Sequence, residues 1–152
     1  MAKPRARTPL PLRILVASGV NLDLLGRREP EIYGRATLAD VEALLRADAP
    51  EGTDLTFFQT NDEAQYLARL GDGWDGAVLN PGAWTHTSLA LADRLAGLGL
   101  PFVEAHLSNL HKREAFRQHS YAAAHAVGIV QGFGIDSYRL ALLGLVRYLR
   151  AR

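Results

Sequence analysis

The chain contains no cysteine, which rules out a disulfide framework and a thiolate nucleophile and leaves a cytoplasmic location open. Lysine occurs only at Lys3 and Lys112. No apolar run approaches the roughly 20 residues that a membrane-spanning helix needs. The net charge is only +1, so nothing points to nucleic acid or an anionic membrane as a partner. There is no Gly-x-x-x-x-Gly-Lys-Ser/Thr phosphate loop and no Gly-x-Ser-x-Gly nucleophile elbow. His106, His111 and His119 do not fall at a metal-ligand spacing, so no metal site is expected. Gly132-Phe-Gly-Ile-Asp-Ser faintly resembles a dinucleotide fingerprint, but too little chain follows Gly134 to complete a βαβ unit.

What remains is a soluble-type composition, 48% hydrophobic and 22% charged over 152 residues, enough for one domain with a real core. Residues 1–11 carry Lys3, Arg5, Arg7 and three prolines with no apolar stretch, and read as a disordered basic tail. The single domain is expected over 12–152.

Within it, apolar runs alternate with helical patterns. Arg13–Ala17 reads as a strand buried on both faces. Thr37 reads as the N-cap of a helix over Leu38–Ala49, stopped by Pro50 and Gly52. Leu55–Gln59 is a second strand. Asn61 or Asp62 caps a second helix with Ala64, Leu67 and Leu70 on one face. Gly76–Leu79 is a third strand, and Thr87 or Ser88 opens a third helix to about Leu98. Phe102–Ala105 and Val127–Val130 are further strands. Ile135, Tyr138, Leu142, Leu145 and Leu149 mark a final amphipathic helix. Five strands alternating with helices predict a doubly wound, flavodoxin-like parallel sheet of order 2-1-3-4-5, with helices on both faces.

Ligands in such folds sit beyond the carboxyl ends of the strands, and the polar residues of this chain collect there. Asn21 to Tyr33 follows the first strand, and is long for a strand-to-helix loop. Asn80 to His86 follows the third, and Glu104 to Arg117 spans the end of the fourth. Arg28, Arg113 and Arg117 suit a carboxylate or phosphate. Asn21, Asn80, His86 and Ser108 suit hydroxyl groups. Tyr33 among arginines suggests proton chemistry, because nearby cations favour a phenolate. Glu104 stands two residues before His106, so both face one side of the strand; the carboxylate would orient the imidazole and favour its protonated, general-acid form. Each feature has a plainer reading. A loop tyrosine packs, Thr85-His86-Thr87-Ser88 caps a helix, and Arg113 and Arg117 pair with Glu114 on a surface. The convergence of three strand ends favours a site.

Three long segments resemble the type II 3-dehydroquinate dehydratases. They are Asn21-Leu-Asp-Leu-Leu-Gly-Arg-Arg-Glu-Pro-Glu-Ile-Tyr33-Gly, Asn80-Pro-Gly-Ala-Trp-Thr-His86-Thr-Ser, and Glu104-Ala-His-Leu-Ser-Asn-Leu-His-Lys-Arg-Glu-Ala-Phe-Arg-Gln-His-Ser-Tyr121. The resemblance runs from about Arg13 to the C-terminus. It implies loss of water from 3-dehydroquinate to give 3-dehydroshikimate through an enolate, in the shikimate pathway to aromatic amino acids, without metal or organic cofactor. By likeness Tyr33 is the base, supported by Arg28 and Arg113. Asn21 holds a water near the enolate oxygen, and His106 is the acid with Glu104 behind it. Leu107 and Ser108 take the substrate carboxylate at the strand-end backbone, while Asn80, His86 and Arg117 take the ring hydroxyls. Asp93 matches a residue that reaches a neighbouring subunit's site in a dodecamer, a tetramer of trimers. Residues 24–33 resemble the family's mobile lid.

The family usually reads Asn-Gly-Pro-Asn-Leu-Asn where this chain reads Ser18-Gly-Val-Asn21-Leu-Asp23, keeping Asn21 but losing the proline. The type I enzymes that run the same reaction resemble a (β/α)₈ barrel with a Schiff-base lysine. This chain is too short for a barrel of about 250 residues. Two other classes remain as alternatives: a non-catalytic flavodoxin-like module that binds a polyhydroxylated acid or a protein, and an FMN-binding flavodoxin, which expects a hydroxyl-rich loop that Val20 and its neighbours do not supply.

Overall fold

The structure, a computed structural model, describes residues 8–152. The tail expected over 1–11 therefore lies mostly outside the described residues; Thr8 to Pro11 form no regular element.

The first strand, β1 (Leu12–Ser18), is buried without a break from Ile14 to Ser18. Its side chains alternate between faces, as strand geometry requires: Ile14 and Val16 enter one hydrophobic core, Leu15 and Ala17 the other. The long loop then makes a 3-10 turn at Leu22–Leu24 and one turn of helix, α1 (Pro30–Tyr33), with proline at its start. The sequence shows only a loop here, because four residues are too few to carry a helical period. The next helix is α2 (Leu38–Asp48). Its cap is reciprocal: Thr37 Oγ accepts from Asp40 N–H at 3.3 Å, and Asp40 Oδ2 accepts from Thr37 N–H at 2.8 Å.

The second strand is β2 (Thr53–Gln59). Asp62, not Asn61, caps α3 (Glu63–Arg69). The inward face of α3 differs from the expected one: Ala64 is exposed, while Tyr66 and Leu70 are buried and Leu67 is half-buried. Tyr66 can go inward because its hydroxyl donates to the Ala17 carbonyl at 3.1 Å, so no polar atom is stranded.

β3 (Gly76–Asn80) is wholly buried, and Ser88 caps α4 (Leu89–Leu98). β4 (Phe102–His106) runs one residue further than its apolar pattern predicts, so His106 belongs to the strand itself. Last come β5 (Gly128–Gln131) and α5 (Asp136–Arg150), which buries Tyr138, Leu142 and Leu145. Each fully buried leucine contributes on the order of 2 kcal/mol.

The strands are parallel in the order β2-β1-β3-β4-β5, as predicted. Val41 and Leu45 of α2 and the inner face of α5 fill one core; Tyr66 of α3 and Leu91 and Leu95 of α4 fill the other. Both faces of the sheet are therefore covered, which leaves its edges free. Register sets Ser18 beside Asn80 across β1 and β3.

Candidate active site

The ends of β1, β3 and β4 open onto one cavity of about 230 Å³. It lies beyond the carboxyl edge of the sheet, where the topology calls for a ligand.

The fourth strand supplies the floor. Phe102, Glu104 and His106 share a face of β4, and all are buried. Glu104 Oε1 lies 2.5 Å from His106 Nε2, and its other oxygen accepts from the Ser120 hydroxyl at 2.8 Å. A carboxylate 1% exposed is thus provided with partners on both oxygens. Leu107 and Ser108 continue the floor as the chain leaves the strand.

Arg113 crosses from this side to the long loop. Its Nη1 donates to the Tyr33 hydroxyl at 3.1 Å and to Ser108 Oγ at 3.4 Å, and its guanidinium lies 5.4 Å from the Tyr33 ring centroid. Burial works against the charge of Arg113, but the Tyr33 hydroxyl together with the nearby Glu114 and Glu29 carboxylates outweighs it, and the guanidinium pKa is raised. Arg28 also lines the cavity, yet its ion pair is with Glu29 at 3.5 Å, out at the exposed rim. The cation in contact with the Tyr33 hydroxyl is therefore Arg113.

The third strand supplies Asn80 and His86. Asn80 is buried, and its Oδ1 accepts from Gly82 N–H at 3.2 Å. Behind it the Tyr138 hydroxyl bonds Ser18 Oγ at 2.8 Å and also meets the Asn80 side chain. Burial pushes the Tyr138 phenol up to about 12. His86 Nδ1 lies 2.8 Å from the His119 carbonyl, so it carries the proton and leaves Nε2 as an acceptor. Burial holds its pKa below the ordinary value, aided by nearby His106 and Arg117.

Asn21, at the start of the long loop, takes a left-handed backbone with φ 66°. Its N–H donates to Asn61 Oδ1 at 2.8 Å, and Gly19 N–H donates to the Asn80 carbonyl at 2.8 Å. These bonds hold the start of the loop where the family's proline is missing. The two loops also touch backbone to backbone: a Cβ at Gly19 would lie 2.3 Å from the Pro81 oxygen, and one at Gly82 would lie 2.6 Å from the Val20 oxygen.

Of the side chains expected from the sequence, Asn21, Arg28 and Tyr33, Asn80 and His86, and His106, Leu107, Ser108, Arg113 and Arg117 all line this cavity. Glu104 stands one layer behind His106. Asp93 sits on the exposed side of α4, away from the cavity. Among the described residues no carboxylate lines the cavity: Glu29, which pairs with Arg28, and Glu114, which pairs with Arg113 at 3.5 Å and Arg117 at 3.3 Å, lie outside its lining, so three arginines share two carboxylates and an anion suits the cavity. Among the described residues, no three of His, Cys, Asp and Glu stand close enough to hold a metal ion. The sequence reading missed Ser120, Tyr138 and Asn61. Each acts through a partner distant in sequence, and none has a local signature.

Residues 12–146 match the family described as "Dehydroquinase class II". The chain belongs to the class II dehydroquinase family. It is 50% identical over 145 residues to the 3-dehydroquinate dehydratase of Gloeobacter violaceus, covering 93% of this chain and 91% of that one. Identity to the enzyme of the same name from Teredinibacter turnerae is 55% over 141 residues, covering 90% and 92%. The crystal structure of type II dehydroquinase from Propionibacterium acnes matches with a TM-score of 0.84 at 39% identity, over 92% of this chain and 99% of that one. The type II dehydroquinase of Butyrivibrio crossotus matches with a TM-score of 0.85 at 32% identity, covering 90% and 98%. Family and fold both agree with the class II dehydroquinase resemblance of the three motifs.

Proposed function

We propose that this hydro-lyase of the class II dehydroquinase family removes water from 3-dehydroquinate to give 3-dehydroshikimate. Tyr33, as phenolate, takes the proton on the carbon next to the ketone. The electron pair moves to the ketone oxygen, and Asn21 holds a water against that enolate oxygen. The enolate then collapses, the carbon–oxygen bond at the neighbouring carbon breaks, and the departing hydroxyl takes a proton from His106 to leave as water. Atoms and charge balance without a redox partner, so no cofactor is needed. Leu107 and Ser108 bind the substrate carboxylate through their backbone N–H groups. Asn80, His86 and Arg117 bind the ring hydroxyls, and Arg28 adds a second cation to the Tyr33 side.

The observation that carries this reading is the pairing of two proton-handling groups in one anion-suited cavity: Tyr33 with Arg113 at 3.1 Å, and His106 with Glu104 at 2.5 Å. A guanidinium bonds the hydroxyl of the first, and a buried carboxylate bonds the imidazole of the second. Base and acid are thereby separated in role by their surroundings.

The same reading makes 12–152 one catalytic domain that works in the cytoplasm, in the shikimate pathway to aromatic amino acids. It also assembles the chain as a dodecamer of four trimers, in which Asp93 completes the cavity of a neighbouring copy and residues 24–33 close over the substrate. The test is an ultraviolet assay with 3-dehydroquinate, following the conjugated enone product, with chelator present. Turnover by the wild type and a loss of about 10³-fold or more in Tyr33→Phe are expected. A folded wild type that binds the substrate without turning it over would leave a binding module instead. Light scattering reads the assembly.

A further inference from the structure

The run from Gln118 to Tyr121 lies outside the cavity yet bonds to several groups that form it. Gln118 Nε2 donates to the Arg113 carbonyl at 2.9 Å. The His119 carbonyl faces His86 Nδ1 at 2.8 Å. Tyr121 N–H donates to the Thr85 carbonyl at 3.1 Å, tying the run to the segment that carries His86. In the middle, Ser120 reaches Glu104.

We propose that Ser120 is a positioning residue for the reaction: it fixes the rotation of the Glu104 carboxylate, and through it which nitrogen His106 turns toward the substrate. Glu104 is 1% exposed, so water does not compete for its oxygens. Oε1 is engaged by His106 Nε2, and among the described residues Ser120 is the hydrogen-bond donor to Oε2. The Ser120 oxygen itself accepts from Ala123 N–H at 3.2 Å. That acceptance fixes the orientation of the hydroxyl and aims its proton at the carboxylate. A carboxylate held at both oxygens cannot spin about its last bond, so the imidazole it grips keeps one ring orientation, with Nδ1 left for the cavity. Without Ser120, one buried oxygen loses its donor, and the side chain gains a reason to turn.

This inference rests on His106 as the acid, and the test separates the two. Full-length Ser120→Thr and Ser120→Val have nearly the same shape and differ in the hydroxyl; Ser120→Ala is the smaller change. With 3-dehydroquinate, the Thr variant is expected to keep kcat within about threefold. The Val and Ala variants are expected to lose about tenfold in kcat with little change in KM, the scale of one hydrogen bond to a charged group. In a Glu104→Gln background, Ser120→Ala is expected to cost less than about twofold more, because its route of action is already gone. Crystal structures of the wild type and Ser120→Ala are expected to show the carboxylate turned and the imidazole reoriented. A full tenfold loss on top of Glu104→Gln, or an unmoved Glu104 and His106 in the Ser120→Ala crystals, overturns the proposal. If the wild type gives no turnover but the carboxylate still turns, the reading of the reaction fails and the positioning stands.

Discussion

Arg113 holds Tyr33 in two ways at once. Its Nη1 donates to the hydroxyl at 3.1 Å, and its guanidinium carbon stands 5.4 Å from the ring centroid. The phenol is thus fixed by a directional bond and by charge, and the cation doing both comes from beyond β4 rather than from the tyrosine's own loop.

Removing that cation tests the arrangement. Arg113→Met is expected to lower kcat by about 10²-fold, while Arg28→Met, whose side chain pairs with Glu29 at the rim, costs less. Steady-state kinetics on the two variants side by side checks the order. An equal or larger loss at Arg28 would mean that Arg28 carries the charge for Tyr33 during turnover.

The buried phenol of Tyr138 predicts an alkaline limb of stability. Its pKa is raised by burial from 10.0 to about 12. Between those values the unfolded chain has released the proton and the folded chain has not. Stability is therefore full below pH 10 and falls as pH rises toward 12, by on the order of 3 kcal/mol for this group. Tyr138→Phe is expected to flatten part of that fall, although it loses about 1 kcal/mol at neutral pH with the hydroxyl bonds. Urea titrations at pH 8, 10 and 11 give the slopes.

His86 predicts a limb on the acid side. Burial lowers its pKa from 6.5, so below that value the unfolded chain takes up a proton that the folded chain resists. Stability is present above pH 6.5 and is lost as pH falls beneath it. His86→Asn is expected to make the pH 5 to 7 stretch of the Tm profile shallower. An unchanged slope would mean that other groups set it.

The crossing of the two loops predicts an intolerant glycine. A Cβ at Gly19 meets the Pro81 carbonyl and, at 2.9 Å, the Trp84 ring. Backbone cannot yield as a flexible side chain would. Gly19→Ala is expected to cost about 1–3 kcal/mol, read as a fall in Tm of several degrees. It is also expected to lower activity more than that loss alone explains, because Asn80 leads into the displaced segment.

The fold was legible wherever a long apolar period existed. The alternation of strands and helices points to a doubly wound sheet, five strands fit the flavodoxin-like order that the structure has, and Asn21, Asn80 and His106 were legible as strand-end residues within it. Short or mixed segments hid more. The single turn at α1 has no period to read, and Tyr66 displaced Ala64 from the inward face of α3 because only the fold supplies an acceptor for its hydroxyl. The pairing of Glu104 with His106 follows from their two-residue spacing. The pairing of Tyr33 with Arg113 does not, since the sequence puts Arg28, in the tyrosine's own loop, ahead of Arg113, and loop conformation turns Arg28 to Glu29 instead. Ser120 and Tyr138 could not be found from the sequence alone, because a serine in a loop and a tyrosine on an apolar stripe look ordinary until their distant partners are in place.

The side-by-side register of β1, β3 and β4 makes the sheet a ruler. Neighbouring strands stand about 4.8 Å apart, so three adjacent ends span roughly 10 Å, the width of one ring and its substituents. Loop substitutions can change which groups of a ring are gripped, but the span between the outer grips is set by backbone pairing deep in the core. A wider ligand would need a fourth strand end brought into play, a change of architecture that side-chain substitution does not supply.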